Sequence, residues 1–175
     1  MKKIAEGVFH VTGPILCLTD EMIDALLVEC SSASKKRARI NFHPSNKSNV
    51  QEMIVALHKS TQIDPHRHLN KSESFHVIQG DVSVAILKEE TFEPVQLIHL
   101  SAGSSHCYYR LNEPLYHLVV PMTEFVVMHE TTEGPFIPSS HDDIHGFDSD
   151  ARLPVESIKI LICQDYNNDC KAHSM

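Results

Sequence analysis

His66-Arg67-His68-Leu69-Asn70-Lys71-Ser72-Glu73-Ser74-Phe75-His76-Val77-Ile78-Gln79-Gly80 is the stretch on which the reading of this chain turns. On an extended strand, side chains two apart point the same way, so His66 and His68 aim together into one lumen. The intervening turn then returns Glu73 on the adjoining strand, within reach of the same point. Imidazole nitrogens with a carboxylate oxygen suit Fe(II), Mn(II), Ni(II), Cu(II) or Zn(II). The same alternation sets Phe75 and Val77 beside Glu73 and turns His76 away, unless a bulge reverses it.

The sequence on either side has the period of strands. Short runs rich in Val, Ile, Leu and Phe cover Glu52–His58, Ser74–Gln79, Val82–Lys88, Val95–Leu100, Leu115–Val120 and Glu124–Glu130. Gly80-Asp81, Glu89-Glu90 and Ala102-Gly103 break them, a pattern that predicts an antiparallel sandwich or barrel such as a jelly roll. Upstream, Thr19-Asp20 offers an N-cap, and Met22, Ile23, Leu26, Leu27 and Cys30 follow at helical spacing. This predicts a short amphipathic helix over 20–32 that packs on the core. Downstream, 137–154 read as a loop, Val155–Cys163 as one more strand, and the last dozen residues as a frayed polar end.

A fourth ligand is expected from a later strand. Ser101-Ala102-Gly103-Ser104-Ser105-His106 delivers His106 from a Gly-containing turn. At these residues the chain resembles the cupin family. His-x-His, four residues, Glu, six residues, Gly is similar to the first cupin motif, and Gly103-x-x-His106 to the second. Ser60 and Ser101 stand where those motifs commonly have Gly and Pro, and Arg110 where Asn is common; none of these is a ligand position. The resemblance implies an all-β cupin (jelly-roll) barrel with a short N-terminal helical segment. It also implies one divalent transition metal (Fe, Zn, Mn or Ni) held by His66, His68, Glu73 and His106. Lys36–His43, Pro65–His68 and Glu130–Phe136 further resemble the WbuC-type cupin metalloproteins, whose genes lie in bacterial surface-polysaccharide (O-antigen) sets. That likeness implies a setting more than a reaction.

Other residues are candidates around the ion. Arg39, Asn41 and His43 read either as a polar loop at the sheet edge or as a clamp for a carboxylate or phosphate. Parity with His106 points Tyr108 inward. His43 and Glu130 are the candidates for a base. His117 and His129 lie in apolar strands, where a lone histidine is more often a core or surface residue. Cys107 is expected to point away from the ion, and the His141/His145 pair to be an adventitious metal-binding tract in a loop.

Composition bounds the partners. The 175 residues suit one domain, laid out as an adapter with a short helix over 1–48, the barrel over 49–137, and a C-terminal loop with an extra strand over 138–175. A net charge of −8 repels phosphate backbones and anionic lipid, which argues against nucleic acid and membrane partners. The run Lys35-Lys36-Arg37-Ala38-Arg39 is the local exception. Five scattered cysteines without a CxxC pair, and no signal segment, suggest reduced thiols and a cytoplasmic protein. Pairing of sheet edges into a homodimer would protect them.

The function expected is a metal-dependent enzyme acting on a small polar metabolite, such as a sugar or sugar nucleotide, by isomerisation or epimerisation. An Fe(II)-dependent oxygenase is the competing chemistry. A metal-dependent binding or sensing cupin without turnover, and a metal-free structural barrel, complete the alternatives.

Overall fold

The structure is a computed structural model that describes residues 1–136 and 152–172. The chain opens with β1 (Lys2–Ala5), β2 (Val8–His10), α1 (Asp20–Ser32) and β3 (Arg37–Asn41). It continues through β4 (Val50–His58), β5 (Glu73–Gln79), β6 (Asp81–Leu87), β7 (Pro94–Ser101) and β8 (Tyr108–Leu111). After β9 (Tyr116–Pro121) and β10 (Phe125–Glu133) it closes with α2 (Val155–Ala172).

The strands form two facing sheets, ordered β1-β2-β3-β4-β10-β5-β8 and β7-β6-β9. Within them β4-β10-β5-β8 is one half of a jelly roll. The other half, β7-β6-β9, keeps its fourth strand only as a single bridge, His66 paired with His117 beside β9. This is the β-rich cupin fold with a short N-terminal helix. The sheets face one another without closing into one continuous hydrogen-bonded ladder.

Three apolar layers follow from strand alternation. Between the sheets lie Leu57, Phe75, Val77, Val84, Leu100, Val119, Val126 and Met128. Outside the large sheet, Leu26 and Cys30 of α1 pack on Ala38, Ile40, Ile54, Ala56 and Val127. Outside the small sheet, Ile158 and Ile162 of α2 pack on Ala85, Leu87, Tyr116 and Leu118. Thr19 caps α1 as expected, its Oγ1 accepting from the Met22 N–H at 3.4 Å.

Several elements depart from the sequence reading. The adapter segment contributes β1, β2 and β3 to the large sheet, and β8 forms from a four-residue run too short to stand out. The strand expected over Val155–Cys163 is instead the start of α2, which runs on to Ala172 through most of the supposed frayed end. The reason is spacing: Val155, Ile158, Ile162 and Tyr166 recur at three and four residues, which builds one helical stripe. Residues 137–151, with the His141/His145 pair, lie outside the described residues. Among the described residues no helix is long and apolar enough to cross a membrane. None of the five cysteines is in a disulfide.

Candidate metal centre

His66 enters the site through the bridge to β9, its N–H donating to the His117 carbonyl at 3.0 Å and its own carbonyl accepting from the His117 N–H at 2.8 Å. That pairing sets the two rings side by side, with centroids 4.3 Å apart. His68 follows at the next inward position, 5.1 Å from the His66 ring and 5.5 Å from the His117 ring. Asn70 takes φ +60°, a left-handed conformation that Asn tolerates better than most residues, and the turn brings the chain back to β5. Glu73 begins β5 buried, with Ser72 anchored beside it by Thr132, Glu133 and Arg110.

Glu73 Oε1 lies 3.2 Å from His68 Nε2, and Glu73 Oε2 lies 3.3 Å from His117 Nε2. Edges of about 3.0–3.4 Å are what ligand atoms roughly 2.1 Å from one ion would make. The three imidazoles each bring a ring nitrogen within 4.8 Å of the others. His66 Nδ1 is 2.9 Å from the Asp64 carbonyl and His117 Nδ1 is 3.1 Å from the Leu115 carbonyl. A carbonyl only accepts, so Nδ1 carries the proton in both rings and Nε2 of the neutral ring presents a lone pair. The lone pair of His117 Nε2 therefore faces the lone pairs of Glu73 Oε2, and these two buried atoms make no hydrogen bond. A cation between them resolves that conflict. The three histidines with Glu73 could thus hold a metal ion.

The electrostatics agree. Burial, then the neighbouring His117, lower the pKa of His66 to about 4, which keeps it an unprotonated donor. Burial alone would raise Glu73, but protons on the facing His117 and His68 nitrogens would outweigh that and hold it well below the usual carboxylate range, and a cation in their place would act in the same direction.

Behind the centre, Arg67 points outward from between the two histidines. Its guanidinium lies 4.6 Å from the ring centre of Tyr116, the neighbour of His117, and 3.0 Å from Glu89 Oε1. Arg152, just before α2, stacks on Phe92 at 4.3 Å and reaches the same Tyr116 ring at 5.6 Å. In front of the centre opens a cavity of about 520 Å³. Met53, Val55, Leu57, Phe75, Val119 and Met128 give it apolar walls, while Arg37, Arg39 and Glu130 add polar ones. Burial, and then the Glu73 charge, push Glu130 up to about 8, so it carries a proton at neutral pH. Arg39 is lowered by burial, opposed by Glu130.

The structure brings His66, His68 and Glu73 together but does not bring His106 to them. His106 is exposed in the turn before β8, its Nδ1 3.3 Å from Ser105 Oγ. That turn ends before the strand begins at Tyr108, and the further imidazole that stands beside Glu73 is His117 of β9, which is fully buried. Both faces of β9 are apolar, hence alternation alone could not say which way His117 pointed. The usable signal was a histidine in a strand buried on both faces, where an imidazole needs a partner or an ion.

Tyr108 is corrected likewise. Tyr109, level with Phe75 and stacked on it at 5.7 Å, is the inward ring, and Tyr108 is exposed. Parity counted from His106 failed because residues 106 and 107 precede the strand. Asn41 and His43 do not line the cavity. His43 is buried with Nδ1 on the Glu52 carbonyl at 3.0 Å, away from the residues that line the cavity. His76 is exposed, and His129 lies 3.7 Å from Glu52 Oε1.

A family described as a domain of unknown function, DUF6016, matches residues 18–94, under half of the chain. No curated protein matches it. Among solved structures, a transcriptional regulator of the HTH_3 family from Vibrio cholerae is 20% identical at TM-score 0.42, over 57% of this chain and 52% of its own. This chain therefore spans about half of that protein. A cupin superfamily protein from Desulfitobacterium hafniense is 11% identical at TM-score 0.44, over 55% and 76% of the two chains. An L-ribose isomerase from Cellulomonas parahominis is 14% identical at TM-score 0.47, over 59% and 63%. The fold assignment rests on the strand order itself.

Proposed function

We propose that this chain is a metal-dependent cupin in which His66, His68, Glu73 and His117 hold one divalent transition metal ion beneath a cavity for a small polar metabolite. The observation that carries the reading is the buried, unsatisfied pair His117 Nε2 and Glu73 Oε2. Three nitrogens and one oxygen suit Fe, Zn, Mn or Ni. When bound, such an ion supplies a Lewis acid and a template for a ligand oxygen.

The chain's own residues divide the remaining work. Glu130, whose carboxyl is raised by burial above the usual range, faces the cavity and is placed to exchange a hydrogen bond or a proton with a ligand oxygen. Arg39 and Arg37 receive an anionic group at the mouth, and Phe75, Val55 and Met128 exclude water from the carbon skeleton. This arrangement supports isomerisation or epimerisation of a sugar-like metabolite, and the likeness to WbuC-type proteins supports a setting in surface-polysaccharide synthesis.

Elemental analysis of untagged protein tests the ligand set. Near one equivalent of a transition metal is expected in wild type and in His106→Ala, and almost none in a folded His117→Ala. Full metal content in His117→Ala, with loss in His106→Ala, would overturn the assignment.

A further inference from the structure

A second cavity, about 720 Å³, adjoins the first. Lys35, Lys36 and Arg37 line it together with Ser60, Gln62 and His66, and Asp64 is its one carboxylate among the described residues. Lys35, Arg37 and His66 also line the cavity over the metal centre, so the two spaces form one path from the ion to a cationic rim. Among the described residues, neither Lys35 nor Arg37 has an ion pair. Glu6, at the mouth, has its carboxylate turned onto the Ser34 N–H at 2.8 Å and the Ser34 hydroxyl at 3.1 Å. A concentration of positive charge on a chain of net charge −8 runs against the overall field.

The backbone beneath the rim is fixed. Lys36 adopts φ +54°, and its carbonyl accepts from the His58 N–H at 3.1 Å, the Cys30 thiol at 3.3 Å and the Thr61 hydroxyl. Its Nζ donates to the Ser31 carbonyl at 2.6 Å, at the end of α1. Lys35 and Arg37 therefore project from a turn held on several sides, which lowers the ordering cost of binding.

We propose that this cleft is a subsite for a phosphate or diphosphate group, and that the ligand of the metal centre is a phosphorylated small metabolite. Its oxygen-bearing end reaches the ion past His66, and its anionic end rests on Lys35 and Arg37. Lysine supplies a point charge and arginine a fork, a combination suited to phosphate oxygens. The inference deepens the metal-site reading, and the two fail separately.

Isothermal titration of the full chain with inorganic pyrophosphate, before and after chelator treatment, tests it. A one-to-one signal is expected that survives chelation, falls with added salt, and weakens about tenfold in Lys35→Ala and in Arg37→Gln. Both side chains are exposed, so the circular dichroism spectrum should not change. Metal content of the same samples reports on the ion independently: pyrophosphate binding by protein that carries no metal before chelation overturns only the ligand set. Affinity unchanged in both variants, or lost entirely on chelation, overturns the subsite. Malonate is titrated in parallel, and binding as tight as pyrophosphate overturns the assignment to phosphate.

Discussion

Glu130 holds a proton where an ordinary carboxyl would not, because burial and the Glu73 charge raise its pKa to about 8. Its folded value lies above its unfolded one, so its proton favours the native state fully below about pH 4.5 and less as pH rises through about 8. In chelator-treated protein, Glu130→Gln should therefore gain in Tm relative to wild type as pH is raised from 5 to 9. A difference that stays flat across that range removes the raised pKa. Cys30 gives a second residue-level test. Burial raises its thiol to about 11, and its hydrogen reaches the Lys36 and Ala56 carbonyls. A thiol reagent at pH 8 should label Cys17, Cys163 and Cys170, which are exposed, and spare Cys30 until denaturant is added. The site was half legible at this scale. His66, His68 and Glu73 are bound to one strand and its neighbour by alternation, a local rule that survives folding. Which further imidazole stands beside them depends on which strand crosses behind, a non-local fact, and the Gly-x-x-His turn at 103–106 leaves His106 exposed while His117 lies next to Glu73.

At the scale of elements, α2 is the least anticipated feature and among the most consequential for stability. Ile158 and Ile162 are fully buried against the small sheet, and Ile162→Ala should cost about 2–5 kcal/mol by denaturant unfolding. A cost near zero would mean that the helix is not docked. The turn that carries the chain from β5 in the large sheet to β6 in the small one is equally specific. Gly80 sits at φ +77°, and a Cβ there would lie 2.3 Å from the Phe125 carbonyl oxygen, so Gly80→Ala should destabilise by more than about 1 kcal/mol. That glycine, the six longer strands and α1 were readable because each is encoded by local period or turn chemistry. α2 was not, because Ile158 to Ile162 form a nearly continuous apolar run in which period two and period 3.6 look alike. β1, β2, β3 and β8 are three to five residues each, and their pairing is a property of the sheet they join.

Across the whole molecule, two helices press on the outer faces of two sheets, with the candidate metal centre at the layer between the sheets. Charge is distributed against that frame, acidic overall and cationic where β3 leaves α1, so salt should weaken anion binding while leaving the fold intact. The C-terminal helix also has a route to the centre. Arg152 at its threshold, Phe92, Tyr116 and Arg67 stack in sequence, and the last two are chain neighbours of His117 and of His66 and His68. Arg152→Ala should loosen the ion on the order of tenfold, read by competition with a chelating dye; unchanged affinity would make the stack a purely structural seam. Linkage makes such a coupling reciprocal: whatever factor the stack lends to the ion, the ion returns to the stack. Chelation should accordingly speed amide exchange along Val155–Ala172, on the far side of the small sheet, and that helix becomes a remote gauge of whether the centre is filled.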